Sequence, residues 1–381
     1  MKQGRAGRPR LLLNVNVAWF LISHRLPIVR AARDNGFEVH VTADIDSDQE
    51  ARALEAEGVV FHRVHLRRGG LKPSEDLGYL ARLRSIMKEV QPELIHNVSV
   101  KPIVYGSVAA RTLRLRRIVN SISGLGYSFS DEGSRRMLAH IVRLAYRVAL
   151  RRSDIRVIFQ NPDDIEVFTA AHIIRPEQAV LIRGSGVDLE SFPFSPQPPG
   201  TVRVVLPARM LRDKGVCEFA EAARLLRARG HDAKFLLAGM KDEANPAGLS
   251  ESELGDLQRA TGVEWLGHVS DMSSLYGSVH VVCLPSYREG LPKALIEACA
   301  VGRPIVTSDV PGCREVVSDG VNGLLVRPRD AEALAEALDR LLSDPGLRSR
   351  MGAEGRRRAE REFDVKAVVR ATLDLYKEML M

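Results

Sequence analysis

The sequence predicts an α/β protein with two doubly wound parallel sheets, and three observations carry this prediction. A chain of 381 residues is too long for one ordinary core. Strand-like and helix-like segments alternate from end to end, which is typical of a parallel sheet covered on both faces. A stretch rich in proline and glycine, Gly184–Gly200, interrupts this alternation, which then restarts. We therefore expect a first domain over 1–187, a linker over 188–200 and a second domain over 201–364.

The predicted strands are short apolar runs with many β-branched residues. In the first half they are Leu11–Val17, Phe37–Thr42, Val59–Val64, Leu94–Asn97, Arg117–Ser121 and Arg156–Gln160. The helices between them are Pro27–Asn35, Gln49–Glu57, Leu77–Val90, Val104–Leu113 and Arg135–Arg151. In the second half the strands are Val202–Pro207, Lys234–Gly239, Val263–Leu266, Val279–Leu284, Pro304–Thr307 and Gly323–Val326. A last helix, 365–381, is expected to pack back on the first domain.

Two Rossmann-like domains of this kind are expected to face each other across a cleft at the carboxyl ends of their strands. The net charge of +7 is compatible with nucleic acid, an anionic membrane or an anionic substrate. The four cysteines form no C-x-x-C pair, which favours thiols in a reducing compartment. Asn14 and Asn16 interrupt the apolar run that follows the basic N-terminus, so a first strand is favoured over a signal peptide. No apolar run reaches the ~20 residues of a membrane-spanning helix.

The stretch Val279–Cys299 has the order strand, turn and helix start. Pro285 ends the apolar run, Ser286–Leu291 form a polar turn, and Pro292 suits a first helical position. This construction aims backbone N–H groups at an anion. Its two carboxylates, Glu289 and Glu297, can bind sugar hydroxyls and a ribose diol. The alternative is that Glu289 caps the helix and Glu297 is a solvated surface residue.

Basic and glycine residues follow the other strands of the second half. In Leu206–Gly215, Arg209 and Lys214 can hold a diphosphate between them, unless this is only a solvated basic turn. Gly239 ends the next strand and permits close approach of a ligand. Gly267 and Val269 end the third and can offer backbone groups to a base, or they form a plain turn.

In the first half, polar residues also follow the strands. The segment Phe20–Pro27 lacks G-x-G-x-x-G, so a dinucleotide-dependent oxidoreductase is disfavoured. The residues considered for an acceptor, each with a structural alternative, are His24, Arg25, Lys101, Gly124 and Gly126. The D-x-D within Asp44–Asp48 is explained more simply by helix capping than by a metal, and we expect no metal site.

Glu132–Arg156 is rich in arginine and has an apolar side that includes Met137 and Leu144. A basic amphipathic helix over Arg135–Arg156 can rest on an anionic leaflet. The alternative is a surface helix whose apolar face packs on the sheet. The lack of partner acids favours the membrane.

Taken together, these motifs resemble the signature of family 4 retaining glycosyltransferases of the GT-B fold. The matching residues within Val202–Val326 are Ala208-Arg209-Met210, Lys214-Gly215, Gly267, Pro285-Ser286, Glu289-Gly290-Leu291-Pro292 and Glu297, and Gly186-Val187-Asp188 also fits. The first half is similar to bacterial enzymes that add N-acetylgalactosamine or a related sugar to an undecaprenyl-diphosphate-linked sugar. That looser similarity lies in His24-Arg25-Leu26-Pro27, Lys101 and Ser123-Gly124-Leu125-Gly126.

The resemblance implies roles for the matching residues. Arg209 and Lys214 would stabilise the departing diphosphate, and Glu289 would hold the donor sugar; these are the implied catalytic residues. The implied donor-binding residues are Gly239, Gly267, Val269, Ser286, Gly290, Leu291 and Glu297. Many family members carry a histidine in the loop where this chain has Ser121–Gly124, so no catalytic base is assigned.

The sequence therefore predicts a retaining hexosyltransferase that needs neither metal nor cofactor. It would move a hexose or N-acetylhexosamine from a UDP-sugar to a lipid-linked or polysaccharide acceptor in cell-surface glycan synthesis. We expect it on the inner face of the plasma membrane, with no nucleic-acid partner. The alternatives are a UDP-sugar epimerase of the same architecture and a non-enzymatic protein that binds nucleotide sugars.

Overall fold

The chain folds into two compact units, each built on its own parallel sheet. The computed structural model describes residues 7–45, 47–66, 72–125, 136–242 and 245–381. The first unit comprises Met1–Ser185 and Val368–Met381, and the second comprises Gly186–Ala367.

The first unit alternates strands and helices. Its strands are β1 (Arg10–Val17), β2 (Glu38–Asp44), β3 (Val60–Arg63), β4 (Leu94–Val98), β5 (Ile118–Ser121), β6 (Ile155–Phe159) and β7 (Ala179–Leu181). Its helices are α1 (Ala18–His24), α2 (Leu26–Asp34), α3 (Asp48–Ala56), α4 (Pro73–Val90), α5 (Val100–Thr112), α6 (Arg136–Leu150) and α7 (Pro162–Ala170). The strands form a parallel sheet in the order β3-β2-β1-β4-β5-β6-β7.

The second unit repeats this construction. Its strands are β8 (Arg203–Pro207), β9 (Lys234–Ala238), β10 (Glu264–Trp265), β11 (Val281–Leu284), β12 (Ile305–Ser308) and β13 (Gly323–Val326). Its helices are α8 (Val216–Ala228), α9 (Glu251–Thr261), α10 (Met272–Ser278), α11 (Lys293–Val301), α12 (Cys313–Val316), α13 (Ala331–Ser343) and α14 (Pro345–Arg358). The sheet is parallel, in the order β10-β9-β8-β11-β12-β13. A last helix, α15 (Val365–Leu380), spans the second boundary between the units.

Most of α15 packs in the core of the first unit. Tyr376 is fully buried, and its ring lies 6.0 Å from that of Phe37. Its hydroxyl lies 2.5 Å from Nδ1 of His96 on β4, and Nε2 of His96 lies 2.6 Å from Oγ of Ser121 on β5. Val368 joins the same apolar cluster.

A row of buried polar side chains crosses the first sheet. The Thr42 hydroxyl donates to Asn14 Oδ1 at 2.8 Å, Asn14 Nδ2 donates to Asn97 Oδ1 at 2.6 Å, and Asn97 Nδ2 donates to Asn120 Oδ1 at 2.9 Å. All four residues are fully buried. We call these four residues the asparagine row. Gly106 lets α5 lie against it, since a Cβ there would be 2.2 Å from Asn97 Oδ1.

The segment 188–200, predicted as a linker, belongs to the second unit and is held to it by hydrogen bonds. Ser195 N donates to Val301 O at 3.1 Å, and the buried Arg303 donates through NH2 to Pro196 O at 2.9 Å. Before it, Val187 N donates to Phe363 O at 2.8 Å. The proline-rich composition therefore belongs to an irregular segment that is hydrogen-bonded to the second unit. The predicted domain limits stay a prediction.

The predicted strands agree with the observed ones to within a few residues, β7 was not predicted, and several helix limits differ, including the start of α5 at Val100 instead of Val104. The sequence predicts a strand-end segment after β1, whereas Ala18–His24 form α1, with Ala18 and Leu21 buried. The predicted start of α4 was Leu77, whereas the helix begins at Pro73, which suits the first turn. Pro292 is the N-cap of α11 and not its first residue. Among the described residues, no helix is both long and apolar enough to cross a membrane.

Candidate active site

The second sheet has a topological switch point between β8 and β11. The chain runs from β8 to β9 and β10 on one side, and from β11 to β12 and β13 on the other. In open α/β sheets, ligands bind outside the carboxyl ends of the strands at such a point. The loops Ala208–Gly215 and Pro285–Pro292 leave β8 and β11 here, so both basic and acidic candidates lie at this edge.

These two loops are in direct contact. Gly215 has a φ of +74°, and a Cβ on it would lie 2.3 Å from Pro285 O, so only glycine fits without a backbone shift. Tyr287 N donates to Asp213 O at 2.9 Å. The contact fixes the relative position of the two loops.

Lys214 and Glu289 meet across this contact. The Lys214 ammonium donates to Glu289 Oε1 at 2.5 Å, and the Ser286 hydroxyl donates to the same oxygen at 2.7 Å. Their side chains are 23% and 11% exposed, so the pair is partly desolvated but reachable. The alternative interpretation, in which Glu289 caps the helix, is therefore wrong, because the N-cap of α11 is Pro292 and no side chain caps it.

Arg209 lies in the β8 loop and forms an ion pair with Asp242, in the loop after β9. The two loops touch at Gly239, where a Cβ would lie 1.9 Å from Ala208 O. Asp242 was not predicted from the sequence. Its only signal is its position, three residues after the glycine that ends a strand.

Glu297 is buried, with 6% of its surface exposed, so the solvated alternative is wrong. Lys293 Nζ lies 2.9 Å from Glu297 Oε1, and the Tyr276 hydroxyl donates to Oε2 at 3.4 Å. Burial raises the pKa of Glu297, and the charge of Lys293 opposes that rise. The carboxylate is thus buried beside the ammonium of Lys293. Neither Lys293 nor Tyr276 was predicted.

The remaining donor candidates lie in loops of the same unit. A Cβ on Gly312 would lie 2.3 Å from Gly290 O, so the loop after β12 packs on the β11 loop, and Leu291 is buried in the apolar core. Gly239 N donates to Gly267 O at 2.8 Å, and Val269 is half-buried against the core. Their roles stay predictions.

The first sheet has its switch point between β1 and β4, and the acceptor candidates follow strands near it. His24 ends α1 and stacks on the Phe20 ring at 4.4 Å, with Nδ1 2.6 Å from Ser23 Oγ. Arg25 is buried, with 4% of its surface exposed. Lys101 Nζ donates to the buried Asp76 at 2.8 Å, so its charge is already paired.

The later loop is described only in part. Gly124 has a φ of +112°, which favours glycine. Gly126 lies outside the described residues. Of the D-x-D segment, Asp46 also lies outside them, and Ser47 caps α3 by accepting a hydrogen bond from Glu50 N. Asp44 accepts a hydrogen bond from Leu66 N at 3.1 Å. Within the described ranges, no three His, Cys, Asp or Glu side chains gather as a metal site.

Helix α6 exposes an apolar stripe. It ends at Leu150, so the predicted helix over Arg135–Arg156 is too long, and Arg156 lies on β6. Arg152 and Arg156 have the acidic partners Asp154 and Glu378, contrary to the expected lack of acids. Arg135 and the side chains of Arg136 and Leu138 lie outside the described part. The exposed stripe consists of Met137 (75%), Ile141 (43%), Leu144 (53%) and Val148 (47%).

The other side of α6 packs on the first unit, through buried Ala139, Tyr146, Ala149 and Leu150. The alternative interpretation, an apolar face packed on the sheet, therefore explains the buried side of α6 but not its exposed apolar stripe. The stripe is a second apolar face. Arg147 and Arg151 are exposed beside it.

Comparison with known proteins identifies the family. Residues 189–358 match the model of the glycosyl transferases group 1, and residues 10–161 match that of the glycosyl transferase 4-like domain. The chain is a family 4 glycosyltransferase of the GT-B fold. The predicted family, fold class and enzyme class are confirmed, over the epimerase and the non-enzymatic alternative. Retaining chemistry without a metal is consistent with this family.

This glycosyltransferase has similar relatives over most of its length. It is 28% identical over 371 residues to the N,N'-diacetylbacillosaminyl-diphospho-undecaprenol alpha-1,3-N-acetylgalactosaminyltransferase of Campylobacter jejuni, covering 93% of this chain and 95% of that one. It is 24% identical to the UDP-Gal:alpha-D-GlcNAc-diphosphoundecaprenol alpha-1,3-galactosyltransferase of Escherichia coli, over 81% of each.

Solved structures show the same fold at lower identity. A glycosyltransferase from Rickettsia africae superposes with a TM-score of 0.77 at 18% identity, over 98% of this chain and 99% of that one. Anabaena HepE in complex with UDP-glucose gives 0.75 at 20% identity, over 96% and 99%.

Proposed function

We propose that the enzyme transfers a hexose or N-acetylhexosamine, with retention, from a UDP-sugar to a lipid-linked or polysaccharide acceptor in cell-surface glycan synthesis. The observation that carries this proposal is the contact of Lys214 with Glu289 at the switch point of the second sheet, with Arg209 in the same loop as Lys214. The names of the relatives support the donor and acceptor classes, since they act on diphospho-undecaprenol-linked sugars. HepE forms a complex with UDP-glucose.

On the donor side, both cations are paired with carboxylates of the protein. Lys214 is held by Glu289, and Arg209 by Asp242. In the proposed complex, the diphosphate oxygens take the place of these carboxylates, because charge-assisted bonds to phosphate are at least as favourable. Glu289, released from Lys214, accepts hydrogen bonds from hydroxyls of the donor sugar. Glu297 accepts from the ribose diol.

During transfer, the bond between the anomeric carbon and the diphosphate oxygen breaks, and the acceptor oxygen bonds to that carbon from the same face. The acceptor proton passes to a diphosphate oxygen, which supplies a base without a protein side chain. Negative charge grows on the leaving group because its bond to the anomeric carbon breaks. Fixed cations at that position, Arg209 and Lys214, stabilise the growing charge without reorganising.

On the acceptor side, the proposed residues are His24, Arg25, Lys101, Gly124 and Gly126. The switch point of the first sheet supports this proposal, because His24 and Arg25 follow β1 and Lys101 follows β4. To contact the acceptor directly, Lys101 must break its hydrogen bond with Asp76; otherwise it acts by positioning Asp76.

We place the enzyme on the anionic inner face of the plasma membrane, with the exposed stripe of α6 against the lipid. Apolar residues four and three positions apart on one side of a helix suit an interfacial helix. The exposed Arg147 and Arg151 supply complementary charge for anionic headgroups. Nucleic acid is not a partner in this proposal.

A donor screen tests the main proposal. UDP release is measured for a set of UDP-hexoses and UDP-N-acetylhexosamines, with and without an undecaprenyl-diphosphate sugar in vesicles. We expect at least one donor to release UDP much faster when the lipid acceptor is present. Interconversion of the donor sugar without UDP release, and without any effect of acceptor, would instead support an epimerase.

A further inference from the structure

Arg25 is a buried cation that has no partner among the described residues. Only 4% of its surface is exposed, and its Nε atom is fully buried without a hydrogen bond. Within the described part of the chain, its guanidinium forms no ion pair or hydrogen bond, and the Phe20 ring lies 6.0 Å from it. Burial lowers the pKa of Arg25 to about 10, so it is still charged at neutral pH. Buried charges in proteins are normally paired, so this one requires an explanation.

The two described side chains on which the Arg25 charge acts do not supply an anion. His96 and Tyr376 lie close enough for the Arg25 charge to act on both. Burial, followed by the Arg25 charge, lowers the pKa of His96 to about 3, so His96 is neutral at pH 7. Both ring nitrogens of His96 are already within hydrogen-bond distance of Tyr376 and Ser121. Burial also raises the pKa of Tyr376, which keeps its hydroxyl neutral.

A second unpartnered polar atom lies at the same edge of the sheet. The Ser123 hydroxyl is buried without a hydrogen bond, in the loop that leaves β5. Arg25 follows α1, which leaves β1, and β1, β4 and β5 are adjacent strands. The carboxyl ends of adjacent parallel strands lie at one edge. Within the described part of the chain, a cation and a hydroxyl without hydrogen-bond partners therefore follow neighbouring strands at this edge.

We infer that Arg25 binds a phosphoryl oxygen of the acceptor, and that Ser123 donates to the same phosphoryl group. This inference rests on the proposed function, whose acceptor carries a diphosphate. A neutral sugar hydroxyl would leave the buried charge uncompensated. A phosphoryl group compensates it and matches the planar fork of guanidinium donors. His96, Tyr376 and Ser121 form a neutral network, so none of these three neighbours offers Arg25 an anion in place of the phosphoryl group.

Replacement by methionine tests the inference through binding, activity and stability. Arg25→Met keeps an unbranched apolar stem and loses the charge. The matched control is Arg30→Met on α2, where an exposed arginine pairs with Glu57. We expect Arg25→Met to raise the KM for the lipid-linked acceptor about tenfold or more, and Arg30→Met to leave it unchanged. Arg25→Lys should be intermediate, because it keeps the charge but loses the fork.

Stability separates a binding role from a structural one. Because the guanidinium is unpaired in the free protein, Arg25→Met should keep or raise the thermal midpoint. A lower midpoint together with an unchanged acceptor KM would make Arg25 a structural residue and overturn the inference.

A direct binding measurement keeps the inference independent of the proposed reaction. Inorganic pyrophosphate is titrated into protein saturated with UDP, so that the donor site is filled. We expect wild type to bind it more tightly than Arg25→Met or Ser123→Ala. Equal binding by wild type and Arg25→Met would overturn the site, even if lipid-linked transfer is observed. If no lipid-linked sugar is an acceptor but pyrophosphate binding still depends on Arg25, the proposed acceptor fails and the anion site stands.

Discussion

The hydroxyl of Tyr287 donates a hydrogen bond of 2.6 Å to Oε1 of Glu218, and so joins the loop that carries Glu289 to helix α8. The Arg329 guanidinium lies over the Tyr287 ring at 4.6 Å. The second carboxylate oxygen of Glu218 is buried without a partner. Tyr287 is therefore the only hydrogen-bond partner of that carboxylate among the described side chains, and it helps to hold the loop in place.

Tyr287→Phe should loosen this loop. The change leaves both oxygens of Glu218 unpaired, at a cost of about 1–3 kcal/mol in stability. We expect kcat to fall several-fold with a smaller change in donor KM, because the loop positions Glu289 and the ring still packs. Thermal melts and steady-state kinetics measure both effects. Glu218→Gln, which keeps an acceptor oxygen, should be milder; equal losses in the two variants would contradict this role.

Lys214→Ala and Glu289→Ala should each abolish transfer while the fold is retained. The loss of a fixed cation at the leaving group is expected to lower kcat about a hundredfold or more. Because Lys214 and Glu289 contact each other, the double variant should be little worse than either single one. UDP release with acceptor measures this, with circular dichroism as the check on folding. If both single variants kept full activity, the site would be placed wrongly.

Asp242→Asn should strengthen the binding of UDP. Asp242 holds Arg209 in the free protein, and the donor diphosphate must replace it. Since a surface ion pair contributes about 0–1 kcal/mol, the expected gain is a few-fold in Kd. Calorimetric titration with UDP measures it. Asp256→Asn, which breaks an exposed ion pair with Arg259 on α9, is the matched control and should have no effect. Weaker UDP binding by Asp242→Asn would show that the acid orients Arg209 instead.

Glu297→Gln should change how stability depends on pH. Burial raises the folded pKa of Glu297 above the ordinary value of 4.5, so its contribution to stability is full below that value and is lost as pH rises through the folded pKa. Glutamine removes this loss. The thermal midpoint of the variant, relative to wild type, should therefore increase as pH rises above 4.5 and through the folded pKa of Glu297. Glu336→Gln, at an exposed position of α13, is the control. A difference that does not change with pH would contradict the buried charge.

Val148→Glu should reduce binding to anionic vesicles. Val148 lies in the apolar stripe of α6 with 47% exposure, and Val60 on β3 has almost the same exposure, 45%, outside the stripe. A carboxylate in the stripe loses apolar contact and repels anionic headgroups, so we expect flotation to fall about tenfold, while Val60→Glu behaves as wild type. Similar flotation of both variants, or no flotation of wild type, would remove the proposed membrane contact.

Much of the fold could be predicted, because parallel strands buried on both faces are apolar runs that stand out in the sequence. The donor loops could be placed for the same reason, since each directly follows such a run. Helix α1 was missed because its apolar residues continue those of β1 without a break. The change from strand to helix has no local signal there.

The partners of the site residues could not be predicted. Lys214 and Glu289 are 75 positions apart, and Lys101 and Asp76 are 25 apart, so only the sheet order brings each pair together. The burial of Glu297 could not be predicted from the sequence either. An acid at one position of a short helix is buried or exposed according to what packs over it, and Tyr276 comes from another helix.

The asparagine row has a consequence for the acceptor side. A sheet of aliphatic strands has no strong preference among alignments that keep its faces, whereas the three hydrogen bonds of this row form in a single alignment. A slip of β1 or β4 along its neighbours would leave several amides unpaired in an apolar interior. The row thus fixes the register of β2, β1, β4 and β5, and with it the relative positions of their carboxyl ends. The segments that carry Arg25 and Ser123 follow β1 and β5, and His96 lies on β4 itself, next to Asn97.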